Sequence, residues 1–168
     1  MTAFAMDKNF LQLIDSPIRP DFNQKSLDEM LNRLDYHYAS LMDYMITPAA
    51  LKYDELVLLR RRAAQPDSGS ATFTRLQAQL RLAVELLRLG RRSEGYLLLA
   101  QIEERLAPMA RTDNTRSAAL VYRLWLALAR AASGNTGIAQ ETALELARLC
   151  PDPKVGSRIV AFFCNLPE

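Results

Sequence analysis

Leu82-Ala83-Val84-Glu85-Leu86-Leu87-Arg88-Leu89-Gly90, running on to Gly95-Tyr96 and ending in Leu106-Ala107-Pro108, is the stretch whose reading decides the fold. It recurs 44 residues later, counted from Gly90 to Gly134, as Leu126-Ala127-Leu128-Ala129-Arg130-Ala131-Ala132-Ser133-Gly134, followed by Ala139 and by Leu149-Cys150-Pro151. In both copies an apolar helix-forming run ends at a glycine, which takes left-handed backbone without a Cβ penalty. A small residue five places beyond that glycine lets two helices approach closely, and a proline marks the stop of the second helix. The pattern predicts two helical hairpins, and with them an all-α chain of stacked antiparallel helical hairpins, about six to eight helices in number.

Outward from this repeat the signals stay helical. Ser26 and Glu29 make a capping box, and Leu27, Met30, Leu31, Leu34, Tyr38, Leu41, Met42 and Met45 recur at three- and four-residue spacing, which predicts an amphipathic helix to about Ile46. Thr47-Pro48 supplies a cap and a first-turn proline for a second helix from Ala49 to Ala64. These two are expected to pair as an N-terminal hairpin over 26–64, ahead of hairpins over about 72–108 and 115–151 and a capping helix over 153–165. Gln65-Pro66-Asp67-Ser68-Gly69-Ser70 reads as a loop. Residues 1–25 read as an arm: Phe4 to Ile14 permits a short helix, but Ser16-Pro17-Ile18-Arg19-Pro20 must be extended. The remaining 26–168 is expected to be a single helical domain.

Composition narrows the class. A chain of 168 residues with 49% hydrophobic residues can bury a core without disulfides or metals. The longest uncharged apolar run, around Leu124 to Ala129, falls well short of the roughly 20 residues of a membrane span. Met1 to Phe10 carries Asp7 and Lys8 inside its apolar stretch, unlike a signal peptide, so a cytoplasmic location is expected. Cys150 and Cys164 are expected to be free thiols, buried as small apolar residues. The net charge of +2 hides an asymmetry: eight Lys or Arg oppose ten Asp or Glu up to Ser70, and thirteen oppose nine beyond it. Lysine occurs only at positions 8, 25, 52 and 154, an arginine bias that fits a GC-rich bacterial genome as readily as phosphate binding.

Residues 76–151 resemble the tetratricopeptide repeat. With Gly90 on the inter-helix glycine, Leu82, Ala83 and Leu86 match the first helix of that repeat and Gly95, Leu99 and Ile102 the second; Gly134, Ala139, Leu146 and Pro151 match again. The departures are a period of 44 where the family has 34, with the excess in Met109 to Ser117, Gln79 at a tryptophan position and Arg130 at a tyrosine position. The resemblance implies a concave groove lined by Gln77, Leu80, Val84, Leu87 and Arg88, then Val121, Leu124, Leu128, Ala131 and Ala132. Such a groove would hold a helical or extended segment of a partner protein, with Arg88 gripping a carboxylate at its edge. The alternative is that the same side chains are buried under Ser26 to Ala64.

No pattern of residues points to catalysis. His37 is the only histidine, and Asp35 and Asp43 do not complete a metal-ligand set with it from one helix. The six glycines form no phosphate-binding loop. Glu103-Glu104, and Glu141 with Glu145, read as solvated faces meeting arginines. Arg60-Arg61-Arg62 spreads through about 200° of helix without interleaved aromatics, which disfavours a nucleic-acid face. The sequence therefore predicts a non-enzymatic interaction module without cofactors, of the kind of a small cytoplasmic bacterial chaperone or adaptor, binding another protein or a second copy as a homodimer. The competing expectation is a regulator that binds nucleic acid or a transcription factor through the arginines around Arg60 and Arg91.

Overall fold

Glycine turns set the architecture. In the computed structural model, which describes residues 29–46, 53–65, 72–111 and 116–166, Gly90 and Gly134 have φ of 81° and 95° and are the only residues described with positive φ. Each closes its helix with the same pair of bonds: Gly90 N–H donates to Leu87 O and Arg91 N–H to Leu86 O, as Gly134 does to Ala131 O and Asn135 to Arg130 O. This six-to-one closure satisfies carbonyls that the helix end would leave bare, and it turns the chain back on itself.

The described residues form seven helices and no strand. They are α1 (Leu34–Ile46), α2 (Tyr53–Ala64), α3 (Thr72–Arg88), α4 (Arg92–Ala110), α5 (Arg116–Ala132), α6 (Thr136–Leu149) and α7 (Pro153–Cys164). A helical turn at 29–32 precedes α1, interrupted at Arg33. The protein is an all-α stack of antiparallel helical hairpins: α3 packs on α4, α4 on α5, α5 on α6 and α6 on α7. Asp152 caps α7 by accepting from Lys154 N–H at 2.9 Å, with Pro153 in the first turn.

Close approach depends on small residues, as the repeat predicts. A Cβ on Gly95 would lie 2.8 Å from Leu87 Cγ and Cδ2 and 3.3 Å from Ala83 O, so α3 and α4 meet where no larger residue fits. Ala139 is fully buried at the equivalent place in the second hairpin. Tyr96 then joins the two hairpins, its hydroxyl 2.9 Å from Ser133 Oγ in the second glycine turn.

Three expectations need correction. Pro108 does not stop its helix: α4 continues to Ala110, and Arg111 N–H closes it on Pro108 O and Met109 O. A proline this late forfeits one bond, to the carbonyl of Glu104, on an exposed turn that water can solvate. That continuation takes up part of the extra length between the repeats. Cys164 is exposed, not buried, because the inward positions of α7 go to Val155, Gly156, Ile159 and Phe163. Lastly, α1 and α2 do not associate mainly with each other. α1 lies against α3 and α5, while α2 lies against α3, where Leu56 and Ala63 meet Ala78, Leu82 and Leu86. The two helices straddle α3 because α3 offers an apolar stripe on two sides. The expected arm over 1–25, the capping residue Ser26, the start of the second helix at Ala49 and Pro66 to Ser70 of the loop lie outside the described residues.

Gly95→Ala should lower the free energy of unfolding in urea by about 1–3 kcal/mol, the usual range for overpacking. Gly137→Ala, with nothing within 4 Å of the added Cβ, should leave it unchanged or raise it by up to about 1 kcal/mol.

Candidate functional site: a groove filled by the chain's own helix

The residues expected to line an open groove are covered. Leu80, Val84 and Leu87 on α3 and Val121, Leu124, Leu128, Ala131 and Ala132 on α5 are all buried, and Gln77 and Arg88 are half-buried. The cover is α1. Its buried residues Leu34, His37, Ser40, Leu41 and Tyr44 recur at three- and four-residue intervals, one stripe of the helix. Leu34, Leu41 and Tyr44 share a single apolar cluster with Leu80, Val84, Leu87, Val121, Leu124, Trp125 and Leu128.

α1 crosses the groove in a fixed direction. At its N-terminal end Arg158 of α7 donates to Asn32 Oδ1 at 3.0 Å, and Tyr38 packs edge-on to Phe162 at 5.8 Å. In its first turn His37 packs edge-on to Trp125 of α5, ring centroids 5.5 Å apart. In its last turn Tyr44 reaches α3, where its hydroxyl donates to Glu85 Oε1 and its ring lies 3.7 Å from the Arg88 guanidinium carbon.

Arg88 therefore does not stand ready for a partner's carboxylate. It grips the chain's own Glu85, at 3.1 Å to Oε2, while Arg81 lies 3.3 Å from Oε1. Glu85 is completely inaccessible to solvent. A buried carboxylate survives only with charged and hydrogen-bonding partners, and here Arg81, Arg88 and Tyr44 supply them. Sequence reading missed Glu85. The signal was there: an acid inside Leu82-Ala83-Val84-Glu85-Leu86-Leu87, with arginines four residues before and three after.

A second buried charge group fixes the hairpins behind the groove. Arg130, at the tyrosine position of the repeat, donates to Glu103 Oε2 at 2.9 Å and to Thr142 Oγ1 at 2.6 Å, and Arg123 lies 3.7 Å from Glu103 Oε1. Glu103, expected on a solvated face, thus serves two buried arginines from α5. Gln79, at the tryptophan position, accepts from Arg105 at 3.2 Å. Glu104, Glu141 and Glu145 are exposed.

Between α2 and α4 a shallow depression of about 190 Å³ is floored by Leu82, Leu86 and Leu98, and its charges, Arg60 and Glu94, neutralise each other at 3.0 Å. It falls below the roughly 300–1,000 Å³ of ligand clefts. Among the described residues no group of three potential ligands gathers for a metal, and no helix is long and apolar enough to cross a membrane. No family model, curated protein or solved structure matches this chain.

Two titrating groups, His37 on α1 and Cys150 at the end of α6, give the structure a pH and reactivity signature. Burial against α5, and Arg33 nearby, hold the His37 imidazole below its ordinary 6.5. The unfolded chain then takes up a proton before the folded one does, so the contribution of His37 to stability is complete above about pH 6.5 and is lost as pH falls through the lowered value. Emission of Trp125, the sole tryptophan, should shift to the red at a lower denaturant concentration at pH 5.5 than at pH 7.5, and His37→Asn should shrink that pH difference. Burial and then Asp152 push the Cys150 thiol up to about 11, leaving little thiolate at neutral pH. Iodoacetamide at pH 7.5 should therefore label the exposed Cys164 well before the half-buried Cys150, as read by peptide mass spectrometry.

Proposed function

We propose that the chain is a non-catalytic protein-binding module whose groove, formed by α3, α5 and α7, receives a helix of a partner protein in the place taken here by α1. The observation that carries this reading is the occupant itself. An amphipathic helix of the chain packs against α3 and α5, its Leu34, Leu41 and Tyr44 in one apolar cluster with Leu80, Val84, Val121, Leu124 and Leu128, comparable to the helix-in-groove manner by which proteins bind helical segments of one another. The tetratricopeptide resemblance of residues 76–151 points to the same face.

In this reading α1 is a competitor that keeps the apolar groove covered until a better helix arrives. A bare groove of this composition would be a large exposed apolar patch, which invites aggregation. The finer role that suits such a module is a small cytoplasmic bacterial chaperone or adaptor that holds one segment of its client. Affinity for that client is reduced by the fraction of molecules in which α1 is already displaced.

Leu41→Asp, which sets a charge at a fully buried position of α1, and the milder Tyr44→Phe should both favour displacement. Tagged full-length chains carrying either change should recover a common partner from native cells about tenfold more strongly than the wild type. A synthetic peptide of residues 29–46 should compete that partner away. Equal recovery by all three chains, each folded by circular dichroism, with no competition by the peptide, would overturn the groove assignment.

A further inference from the structure

The end of the groove at α3 is chemically unlike the rest. Along α5 the occupant helix meets aliphatic side chains and the Trp125 ring, a surface that accepts many apolar residues of similar size. At α3 it meets a carboxylate with no solvent access between two arginines, Arg81 and Arg88, on the same helix. We infer that this end selects the partner by sequence: the groove takes a helix that places a tyrosine where Tyr44 now lies, with the phenol donating to Glu85 beneath Arg88. This rests on the protein-binding role proposed above and adds the chemistry of the partner to it.

Three observations support the selection. The Tyr44 hydroxyl donates to Glu85 Oε1, so an occupant without a donor there leaves that buried oxygen to Arg88 at 3.4 Å and Arg81 at 3.3 Å alone, and a lost bond counts for more at a charged acceptor than at a neutral one. The Tyr44 ring also lies 3.7 Å from the Arg88 guanidinium carbon, so the aromatic face is read as well as the hydroxyl. Phenylalanine would keep the second contact and lose the first; leucine would lose both. Sites built to hydrogen-bond a hydroxyl reject the analogue that lacks it far more strongly than apolar pockets reject a missing methylene. Burial and Glu85 raise the phenol's pKa, which keeps it a donor.

Charge sets the direction. Arg81 and Arg88 flank Glu85 at this end of the groove, and the last turn of α1 presents the negative end of its helix dipole to them, with no basic residue of its own in that turn. A reversed helix would point its positive end at Arg81 and Arg88. The partner segment should therefore run from α7 to α3, carrying apolar residues ten and three positions before its tyrosine, as Leu34 and Leu41 stand before Tyr44.

The test uses the full-length Leu41→Asp chain, with Leu41→Ala as a second, milder background, and two labelled peptides of residues 29–46, one unchanged and one carrying Tyr44→Phe. Fluorescence anisotropy should show the tyrosine peptide binding about tenfold more tightly, and Glu85→Gln in the protein should reduce that preference below about threefold. Equal affinity for the two peptides overturns the tyrosine selection and leaves the groove reading standing. Failure of both peptides to bind either background, with helical circular dichroism retained, overturns both. A wild-type chain that sediments as a dimer, and as a monomer once Tyr44→Phe is introduced, would make the occupant a second copy and overturn the assignment to a different partner.

Discussion

The structure depends on enclosing one helix. From Ala118 to Ala132 every residue of α5 is buried, Arg123 and Arg130 among them. A helix buried on every side must be covered on every side. Here α4 and α6 cover two sides and α1 a third. Each cover brings what that side of α5 lacks. The side that carries arginines meets Glu103 from α4 and Thr142 from α6; the side that carries Val121, Leu124, Trp125 and Leu128 meets the apolar stripe of α1.

That demand explains why α1 and α2 part company. An N-terminal hairpin of its own would have buried their stripes against each other and left α5 bare on its groove side. With α1 laid across α3 and α5, an apolar side of both helices is covered, and α2 takes the other stripe on α3, formed by Ala78, Leu82 and Leu86. The groove that a stacked-hairpin scaffold opens to partners is thus closed from within. The same contacts that complete the core hold a helix in a binding position, which links the packing of this chain to the function proposed for it.

Buried charge gives these contacts specificity. Replacing an ion cluster such as Glu85 with Arg81 and Arg88 by apolar residues is often neutral for stability, so such clusters are better regarded as setting register than as strengthening a core. In α1 the position of Tyr44 over Glu85 fixes how far along the groove the helix lies, and the pairing of Arg130 with Glu103 fixes how the second hairpin meets the first. One is released if α1 leaves; the other is not.

The sequence by itself determined the elements. Gly90 and Gly134, the small residues Gly95 and Ala139, and Pro151 locate the hairpins because backbone conformation and close approach are local demands that only certain residues meet. It also marked the apolar stripes of the helices, since helical periodicity is local too. Pro108 misled for a related reason: a proline forbids one bond, and whether the helix ends there turns on what solvates the exposed last turn. What only the tertiary structure decided is occupancy. An apolar stripe shows that a face must be covered and not by what, so the choice between an open groove and one filled by α1 rested on which surfaces fit. Glu85 belongs to the same kind of decision, because the role of a carboxylate in an apolar run is set by Tyr44, which lies 41 residues away in the chain and in contact with it in the fold.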